Sequence, residues 1–581
     1  MKYANWKVPE SAPAVPSALL RDGCTPLLAA ILQLRGLESP DAAKEFLRGD
    51  TELLTDPMAI LGMDKAVRRL KEAIEKREHV AVYGDYDVDG ITSTCLLTDY
   101  LCSCGLPCDA YIPDRLREGY GLNSAAVDFL SSQGVTLIVT VDCGVTNINE
   151  AEHAAAIGMD MIITDHHECH IDSETGCGIL PKAVAVVNPK VPGNTCGKTL
   201  AGVGVAFKLA CAMSGKPREI LDRYCDLVAV GTVADVMLLQ GENRFITRCG
   251  LKKITDGRCR MGFLALAEAA GVHGKTFTAS TVGFSLAPRI NAAGRLGDPL
   301  TALELLQETD PKRAEDLSEK LCDMNGRRKD FESAIWAKAE QQVQQLYNGK
   351  PDAPIVLADK IWSREEPDGW HAGVIGIVAS RLTDKYSVPA VMICLDGDTG
   401  KGSCRSVGDF NIFEALSACS DCLEGFGGHA MAAGVTVRRD RVDELRERLR
   451  DYYLAHPNRV VPALEADMLI DRAEFLTQEC VQSLDLLEPC GNGNPRPLFY
   501  MDDVLLDSVQ PIGSGKHLRL RIRKFDQMYD AVFFSQTEST LGARKGSRCD
   551  IVFVPQINNF RNVTSVQLVL TDLRRHSDAK N

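Results

Sequence analysis

The sequence predicts an α/β protein with a parallel-sheet domain, a smaller α/β domain joined to it by a long helix, and a C-terminal all-β unit. Three observations predict this class. From about residue 60, short β-rich runs alternate with helical patterns, which is typical of a mainly parallel sheet. Residues 312–347 keep apolar side chains at three- and four-residue spacing, as a long helix does. Beyond Pro462 several short strands follow one another, which indicates a small barrel or sandwich.

Composition excludes several classes of protein. The chain has 581 residues, 65 Lys and Arg against 79 Asp and Glu, and a formal net charge of −14. At about 100–200 residues per domain, this length predicts several domains. No apolar run reaches the roughly 18 residues of a membrane span, and the first residues lack the build of a secretory signal. The 21 cysteines are irregularly spaced, so we predict free thiols and a cytoplasmic protein.

The acidic balance bears on possible partners. It disfavours a protein that simply coats nucleic acid, because nonspecific affinity for phosphates depends on clustered cations. It does not exclude nucleic acid as a substrate. Acidic groups gathered in one place can hold divalent metals while basic groups lie elsewhere, so the distribution of charge matters more than the sum.

Local patterns predict the elements in chain order. In the first α/β part we expect strands at 79–83, 110–112, 136–141, 161–164 and 183–187, and helices at 91–101, 124–132 and 149–157. In the second part we expect strands at 354–358 and 390–394 and a helix at 374–383. In the β unit we expect strands at 518–522, 531–534, 550–554 and 565–570. The predicted segments are an N-terminal extension (1–60), a first α/β domain (61–310), a connecting helix (311–350), a second α/β domain (351–460) and a β unit (461–581).

Acidic and imidazole side chains follow three of the predicted strands, at the point where each strand ends. In an open parallel sheet, ligands bind beyond the carboxyl ends of the strands. These ends should therefore bring five aspartates and two histidines into one crevice. Asp85, Asp87 and Asp89 follow strand 79–83, Asp142 follows strand 136–141, and Asp165, His166 and His167 follow strand 161–164.

A further carboxylate, Asp235, follows an apolar helical run and is a fourth candidate for the same crevice. A single aspartate after a strand is usually a turn or helix-capping residue, but four such positions together favour a shared site. So many carboxylates cannot stay ionised together without compensating cations. Mixed Asp and His ligation suits Mn²⁺ or Mg²⁺ in a two-metal site, which activates water and stabilises charge on a phosphoryl group.

The β unit contains an alternating basic strand. Arg519, Arg521 and Arg523 lie on one face of the predicted strand, and the leucines and isoleucine between them lie on the other. This pattern suits a groove for single-stranded nucleic acid, although an ordinary solvated strand face remains an alternative. Phe560 and Arg561 are further candidates for stacking on bases.

Four motifs resemble those of the DHH phosphoesterase superfamily, in the forms found in its single-strand-specific 5′→3′ DNA exonucleases. They are Asp85-Tyr86-Asp87-Val88-Asp89-Gly90, Val141-Asp142-Cys143-Gly144, Asp165-His166-His167 and Thr232-Val233-Ala234-Asp235. The resemblance covers almost the whole chain. It continues in Pro288-Arg289-Ile290-Asn291-Ala292-Ala293-Gly294-Arg295, Trp370-His371-Ala372-Gly373-Val374-Ile375-Gly376, Gly402-Ser403-Cys404-Arg405-Ser406 and Gly427-Gly428-His429-Ala430. The last of these resembles the glycine-rich signature of the DHHA1 domain, and the β unit is expected to be an OB-fold.

The resemblance implies a metal site with eight catalytic residues. Six of them, Asp85, Asp87, Asp89, Asp142, His166 and Asp235, would coordinate two ions, with Asp142 as the bridge. Asp165 and His167 would orient the reacting groups. Many DHH proteins place a histidine where this chain has Tyr83, and a phenol is a poor ligand for these ions at neutral pH. Asp85 is the nearest substitute.

The resemblance also implies a substrate clamp. Ser403, Arg405 and Gly428, with Arg289 or Arg295, would recognise a 5′-terminal phosphate. The other residues expected to contact substrate are Asn291, His371, Gly427 and His429, together with Arg519, Arg521 and Arg523 of the β unit.

These inferences together predict a metal-dependent exonuclease that hydrolyses single-stranded DNA from its 5′ end to 5′-mononucleotides, in DNA repair and recombination. One alternative is a related oligoribonuclease or cyclic-dinucleotide phosphodiesterase, although such proteins are typically shorter. Another is a DNA-binding scaffold with an inactive site. The resemblance further suggests a monomer that works with a single-strand-binding protein and a RecQ-type helicase.

Overall fold

The computed structural model of the protein describes residues 5–119, 121–172, 174–456, 463–560 and 563–576. The chain forms two compact units. The first combines Met1–Leu53, Leu238–Phe245 and Val461–Asn581, and the second combines Leu54–Met237 and Ile246–Val460. No helix in the described ranges is both long and apolar enough to cross a membrane.

The described helices are α1 (Ser17–Arg21), α2 (Pro26–Leu34), α3 (Pro40–Arg48), α4 (Met63–Lys76), α5 (Val88–Ser103), α6 (Ser124–Ser132), α7 (Ile148–Ala156), α8 (Gly202–Ser214), α9 (Pro217–Ala234), α10 (Gly241–Thr255), α11 (Met261–Ala269), α12 (Ala279–Thr281), α13 (Ala287–Arg295), α14 (Pro299–Gln307), α15 (Pro311–Tyr347), α16 (Ile375–Tyr386), α17 (Ile412–Ala418), α18 (Val442–Ala455), α19 (Gln478–Ser483) and α20 (Glu538–Leu541). A π-helical turn, Val282–Leu286, joins α12 to α13.

The described strands are β1 (Asn5–Lys7), β2 (Val80–Gly84), β3 (Cys108–Tyr111), β4 (Leu137–Val141), β5 (Asp160–Thr164), β6 (His170–Ile171), β7 (Gly178–Ile179), β8 (Ala185–Val187), β9 (Ile355–Lys360), β10 (Ala390–Asp396), β11 (Thr399–Arg405), β12 (Gly425–Gly428), β13 (Ala432–Arg438), β14 (Ala463–Glu465), β15 (Met468–Leu469), β16 (Phe499–Ile512), β17 (His517–Lys524), β18 (Gln527–Phe533), β19 (Arg548–Phe560) and β20 (Val563–Arg575).

The sheet that positions the predicted site has the strand order β3-β2-β4-β5-β8. All four strand pairs are parallel, so the carboxyl ends of the five strands lie along one edge. Every residue of β2 and β4 is buried, as expected for a parallel sheet covered on both faces. This arrangement confirms the predicted parallel-sheet domain.

The second α/β domain is smaller and has a mixed sheet of order β12-β13-β11-β10-β9. The pair β9–β10 is parallel, and the remaining pairs are antiparallel. The 37-residue helix α15 leads into this domain. It begins after Asp310, whose side chain accepts a hydrogen bond from the Arg313 N–H (2.8 Å). Its last turns bury Ile335, Ala339 and Val343 in the core of the second domain. The predicted long helix is thus present.

The C-terminal unit contains a closed five-stranded barrel of order β16-β17-β18-β20-β19, which pairing of β16 with β19 completes. Closure removes the free sheet edges. Along β17, Leu518, Leu520 and Ile522 are fully buried, whereas the intervening arginines are exposed. The barrel confirms the predicted OB-fold.

The first helices share a core with this barrel. Leu27 and Leu28 of α2 belong to the same buried cluster as Phe475, Phe499 and Phe553. β1 pairs in parallel with β14. Sequence patterns alone did not indicate this association, and the predicted domain boundaries stay predictions.

Candidate metal centre and arginine pocket

All eight predicted catalytic residues lie at the carboxyl edge of the parallel sheet. Asp85 follows β2, and Asp87 caps the N-terminus of α5, where it accepts hydrogen bonds from the N–H groups of Asp89 and Gly90 (3.0 and 3.1 Å). Asp142 follows β4 in a left-handed backbone conformation (φ 60°). Asp165, His166 and His167 follow β5, and Asp235 ends α9. The structure therefore brings together the side chains that the sequence predicts to converge.

Distances within the cluster are those of a potential metal centre. The His166 Nε2 lies 3.1 Å from Asp142 Oδ1, 3.5 Å from Asp235 Oδ2 and 3.7 Å from Asp89 Oδ2. Three overlapping groups each have ligand atoms within 4.8 Å of one another. They are Asp85, Asp87 and Asp142; Asp142, His166 and His167; and Asp89, His166 and Asp235. Asp142 and His166 each belong to two of the groups, and of the two only Asp142 has a pair of oxygens with which to bridge two ions.

Several polar atoms of this cluster are buried and form no hydrogen bond with the described residues. Asp85 Oδ1, Asp142 Oδ1 and His166 Nε2 form no hydrogen bond with the described residues, although the last two atoms lie 3.1 Å apart. A buried polar atom in this condition costs free energy comparable to a lost hydrogen bond. Carboxylate oxygens and a neutral imidazole nitrogen are ligands that Mn²⁺ and Mg²⁺ accept, so the residues fit a pair of divalent cations.

Electrostatics point the same way. Burial, and then the charge of Asp87, raises the pKa of Asp85 well above its usual value. Burial and neighbouring carboxylates likewise raise the pKa of Asp89 and Asp142, and the same two causes bring the pKa of Asp235 to about 7. Added positive charge in the cluster would therefore stabilise the ionised form of these carboxylates.

The two histidines differ in their environments. Burial, and then the neighbouring His167, lowers the pKa of His166 to about 3, so its ring is neutral and can act as a ligand. His167 Nδ1 lies 2.8 Å from Asp165 Oδ1. Burial alone would lower the pKa of His167, but this hydrogen bond and the charges of Asp165, Asp235 and Asp87 together raise it to about 9. Asp165 also accepts hydrogen bonds from the N–H groups of Val145, His166 and His167. Asp165 is thus occupied in orienting the loop.

Tyr83 does not join the cluster. Its hydroxyl donates to the carbonyl oxygen of Gly121 (3.0 Å), and its ring stacks on Tyr111 at 5.0 Å. Asp85 lies within the metal-ligand group instead. Asp85 is two residues further along the chain than Tyr83, and its role as the substitute ligand stays a prediction.

The N-terminus of α8 contributes to the centre in a way that sequence reasoning missed. The N–H groups of Gly202 and Val203 donate to the two oxygens of Asp89 (2.6 and 2.9 Å). A Cβ at position 202 would lie 2.5 Å from the Cβ of Asp142, so only glycine fits there. The glycine-rich segment at 200–207 suggested close helix packing, but it also anchors the carboxylate of Asp89 at a helix N-terminus.

A group of partly buried arginines adjoins the metal centre. Burial, and then the charges of Arg115, Arg405 and Arg328, lowers the pKa of Arg295 to about 9. The charge of Asp87 raises the pKa of Arg295, and the charge of Arg115 lowers the pKa of Asp85. The arginines therefore lie within electrostatic reach of the carboxylates. Like-charged groups in one pocket favour a bound anion. We refer to Arg115, Arg295, Arg328 and Arg405 as the arginine pocket.

Three predicted substrate contacts lie in or beside this pocket. Arg405 Nη1 donates to Ser403 Oγ (3.0 Å), and Arg295 Nη1 donates to the carbonyl oxygen of Gly373 (3.1 Å). Ser403, Arg405 and Arg295 thus converge, as the sequence predicts. Arg115 and Arg328 were missed. No motif marks Arg115, and Arg328 shows in the sequence only as a break in the apolar spacing of the long helix, between Met324 and Phe331. Arg115 follows β3, one of the two edge strands of the sheet. Its guanidinium lies 5.0 Å from the ring centre of Tyr86.

Other predicted contacts have structural partners. Arg289 donates to Ser285 O (2.6 Å) and Cys322 Sγ (3.2 Å), so of the two predicted alternatives Arg295 is the one in the pocket. Asn291 Oδ1 accepts a hydrogen bond from the Val88 N–H (3.2 Å) and thereby supports the loop that carries Asp87. His371 is buried, and burial and Arg327 lower its pKa to about 4.

The glycine-rich segment of the second domain lies at the surface. Gly427 and Gly428 are exposed at the end of β12, and Gly428 has a φ of 139°. The His429 N–H donates to the carbonyl oxygen of Ala432 (2.8 Å), which closes the turn between β12 and β13. The role predicted for these three residues in binding substrate stays a prediction.

The barrel carries the predicted basic row and an aromatic side chain that was not predicted. Arg519 Nη2 and Arg521 Nε each lie 3.6 Å from Asp530, and Arg523 Nη2 lies 3.2 Å from Asp507. Phe534, next to this row, is 54% exposed, and its ring meets that of His517 edge-on at 5.4 Å. Arg561 and the side chain of Phe560, the other stacking candidates, fall outside what the structure describes.

Comparison with known proteins defines the class first. The DHH family N-terminal domain matches residues 79–232, the DHHA1 domain matches residues 356–454, and the RecJ OB domain matches residues 467–572. The fold and the site are therefore those of a DHH phosphoesterase with an added OB-fold.

Relatives along the full chain narrow the class. The single-stranded-DNA-specific exonuclease RecJ of Bacillus subtilis is 39% identical over 94% of this chain and 68% of its own length. The same enzyme of Escherichia coli is 33% identical over 94% and 96%. RecJ of Thermus thermophilus in complex with Mn²⁺ superposes with a TM-score of 0.81 at 30% identity, covering 99% of this chain and 80% of that one. Its complex with Mg²⁺ gives a TM-score of 0.77 at 29% identity, over 99% and 79%. The chain belongs to the RecJ family of single-stranded-DNA-specific exonucleases, which confirms the resemblance found in the motifs.

Proposed function

We propose that the protein is a metal-dependent exonuclease that hydrolyses single-stranded DNA from its 5′ end to 5′-mononucleotides, in DNA repair and recombination. One observation carries this proposal: a buried cluster of carboxylates and imidazoles with unsatisfied ligand atoms adjoins a pocket of arginines. The first feature suits cations, and the second suits a phosphate. A nuclease that recognises a strand end needs both.

The chain's own residues suggest how two ions would be held. Asp85, Asp87 and Asp142 would hold one, and Asp89, His166 and Asp235 the other, with Asp142 shared. When bound, Mn²⁺ or Mg²⁺ ions lower the pKa of water and neutralise charge on the phosphoryl group. The N-terminus of α8 fixes Asp89, and Asp165 fixes the ring of His167 toward the cluster. His167 thereby acts as an orienting group beside the reacting phosphate.

The arginine pocket gives the proposed reaction its direction. Arg115, Arg295 and Arg405 would bind the 5′-terminal phosphate, with Ser403 as a further donor and Arg289 and Asn291 as supports. Guanidinium groups bind phosphate oxygens in bidentate fashion. Because the pocket lies beside Asp85 and Asp87, a strand anchored there by its end would present a nearby phosphodiester to the metal centre.

Other parts of the chain would hold the strand. Gly427, Gly428 and His429 are proposed to contact phosphate through backbone and side-chain donors, and His371 supports Gly373, whose carbonyl oxygen meets Arg295. On the barrel, the outer face of strands β17 and β18 is the usual ligand face of an OB-fold. There Arg519, Arg521 and Arg523 would follow the backbone, and Phe534 would stack on a base.

The two alternatives receive less support. A dinucleotide or oligoribonucleotide hydrolase has no evident use for the barrel's basic row and exposed phenylalanine. An inactive scaffold has no need of an intact ligand set, whereas this chain keeps all eight residues. A cytoplasmic monomer that cooperates with a single-strand-binding protein and a RecQ-type helicase is proposed from family resemblance.

Product analysis on matched substrates tests the proposed function. The substrates are single-stranded DNA with a 5′-phosphate, the same strand with a 5′-hydroxyl, a blunt duplex and an RNA of the same sequence, each with Mn²⁺ or Mg²⁺. We expect 5′-mononucleotides from the first substrate, slower release from the second and little product from the duplex. Internal cuts, release from the 3′ end or activity confined to dinucleotides would each contradict the proposal.

A further inference from the structure

A lysine lies beside the metal centre on the side away from the arginine pocket. Lys190 follows β8, the outer strand of the parallel sheet, in the segment Asn188-Pro189-Lys190. Asn188 is fully buried, and its Nδ2 donates to the carbonyl oxygen of His167 (2.8 Å). Its Oδ1 accepts a hydrogen bond from the Lys190 N–H (2.8 Å). The backbone of Lys190 is therefore tied to the loop that carries the catalytic histidines.

The side chain of Lys190 is available for a ligand. Its Nζ lies 3.5 Å from Glu168 Oε1, in a pair whose side chains are 26% and 65% exposed. A pair this open to solvent contributes little free energy and can be exchanged for another anion. Burial has the largest effect on the pKa of His166, which it lowers, and on the pKa of Asp235, which it raises. The positive charge of Lys190 lowers the pKa of both groups. The ammonium is thus close to two proposed metal ligands.

Strand order places this lysine at the edge of the sheet opposite Arg115, one of the four residues of the arginine pocket. Along the carboxyl edge of the sheet, Arg115 follows β3, the carboxylates and imidazoles follow β2, β4 and β5, and Lys190 follows β8. Cations therefore stand at both outer strands, and the metal-binding groups lie between them. With a strand spacing of about 4.8 Å, the two outer strands are about 19 Å apart, which leaves room for successive phosphates of one strand.

We propose that Lys190 forms a subsite for the phosphate on the 3′ side of the scissile phosphodiester. The proposal rests on the proposed function. A 5′ end held in the arginine pocket puts the scissile phosphate over the metal centre, so the part of the strand that remains after cleavage leaves along β8. Lys190 is then a positioning residue that holds the retained strand in register for the cut.

A substrate with one neutral linkage tests the subsite. The readout is the single-turnover rate of the first cut on a short 5′-phosphorylated oligodeoxynucleotide with Mn²⁺. A matched oligonucleotide carries a methylphosphonate at the linkage immediately 3′ of the scissile one. Lys190→Gln should slow the first cut of the normal strand roughly ten- to hundredfold, the loss expected for one hydrogen bond between charged groups. The methylphosphonate should slow the wild-type protein similarly and the variant hardly further, because both changes remove one interaction.

Two further variants separate the role of Lys190 from structural effects. Lys198→Gln changes an exposed lysine of the same loop and should cleave both strands as the wild type does. Lys190→Arg keeps the charge and should restore most of the rate. Thermal unfolding with and without Mn²⁺ shows whether Lys190→Gln still folds and binds metal.

The outcomes distinguish the subsite from the proposed function. Additive losses from the variant and the methylphosphonate would overturn the subsite, as would a variant that cleaves the normal strand at the wild-type rate. A methylphosphonate that leaves the wild-type rate unchanged would overturn it too. If the wild-type protein cleaves neither strand, the proposed exonuclease function itself fails, and the subsite fails with it.

Discussion

The metal centre and the basic row of the barrel are both sets of like charges, but they differ in their surroundings. The carboxylates of the metal centre are mostly buried, and some of their atoms lack partners among the described residues. The arginines of the barrel are exposed, and each lies near an aspartate. Buried carboxylates without neutralising partners therefore mark the metal centre as a candidate ligand site. On the barrel face, nearby aspartates already neutralise part of the charge of the arginines. The arginine pocket shares one property with each of these regions, since it is basic like the barrel face and buried like the metal centre.

The largest effect should come from the metal centre. Asp142→Asn removes the shared carboxylate with little change in volume, and we expect kcat to fall about a thousandfold, the upper range for one group that stabilises a transition state. Isothermal titration with Mn²⁺ should show at least one ion lost. Without metal the variant should unfold at a higher temperature than the wild type, because a repelling buried charge is gone. Asp128→Asn changes an exposed carboxylate and is the control; wild-type activity in Asp142→Asn would contradict the assignment.

The arginine pocket should give the next largest effect. Arg405→Gln should reduce the preference for a 5′-phosphate over a 5′-hydroxyl roughly tenfold, because one charged donor to the phosphate is lost. The measurement is kcat/KM on the two strands. Arg438→Gln, an exposed arginine paired with Asp440 in the same domain, should leave the preference unchanged. An equal loss on both strands would indicate that Arg405 serves the fold rather than the strand end.

The exposed aromatic ring tests whether the barrel face binds bases. Phe534→Ala should weaken single-stranded DNA binding by about 1–3 kcal/mol, the range for loss of one stacked base. Fluorescence anisotropy on the inactive Asp142→Asn background avoids degradation of the probe. Met528→Ala, which also truncates an exposed side chain on β18, should have a smaller effect. Equal losses would show that general apolar contact, and not stacking, is responsible.

The smallest effect concerns the acidic partners of the basic row. Asp530→Asn should strengthen binding several-fold and steepen its dependence on salt by about one unit of log–log slope, because Arg519 and Arg521 lose their shared carboxylate. Arg521→Gln should have the opposite sign. If Asp530→Asn leaves both affinity and salt dependence unchanged, the row does not contact the backbone of the DNA.

The sequence predicts which acidic and imidazole side chains come together, because most of them follow strand ends. Parallel strands bring their carboxyl ends to one edge, so Asp85, Asp142 and His166 can be placed together without knowing their side-chain contacts. The arginine pocket is less predictable. Arg115 comes from a loop with no motif, and Arg289 and Arg295 lie in one motif but only the contacts of α13 distinguish them. The same limit applies at the barrel, where a period of two shows which face is basic but not that Asp530 lies across from it on β18.

The shared core of the first helices and the barrel has a consequence for biosynthesis. Leu27 and Leu28 leave the ribosome before both α/β domains are made, whereas their partners Phe499 and Phe553 are translated after those domains. The helices must therefore wait with an uncovered apolar side while both α/β domains are made. A nascent chain of this protein should need a holding chaperone on these helices until the barrel is made, and a stop codon before the barrel would leave that side permanently uncovered.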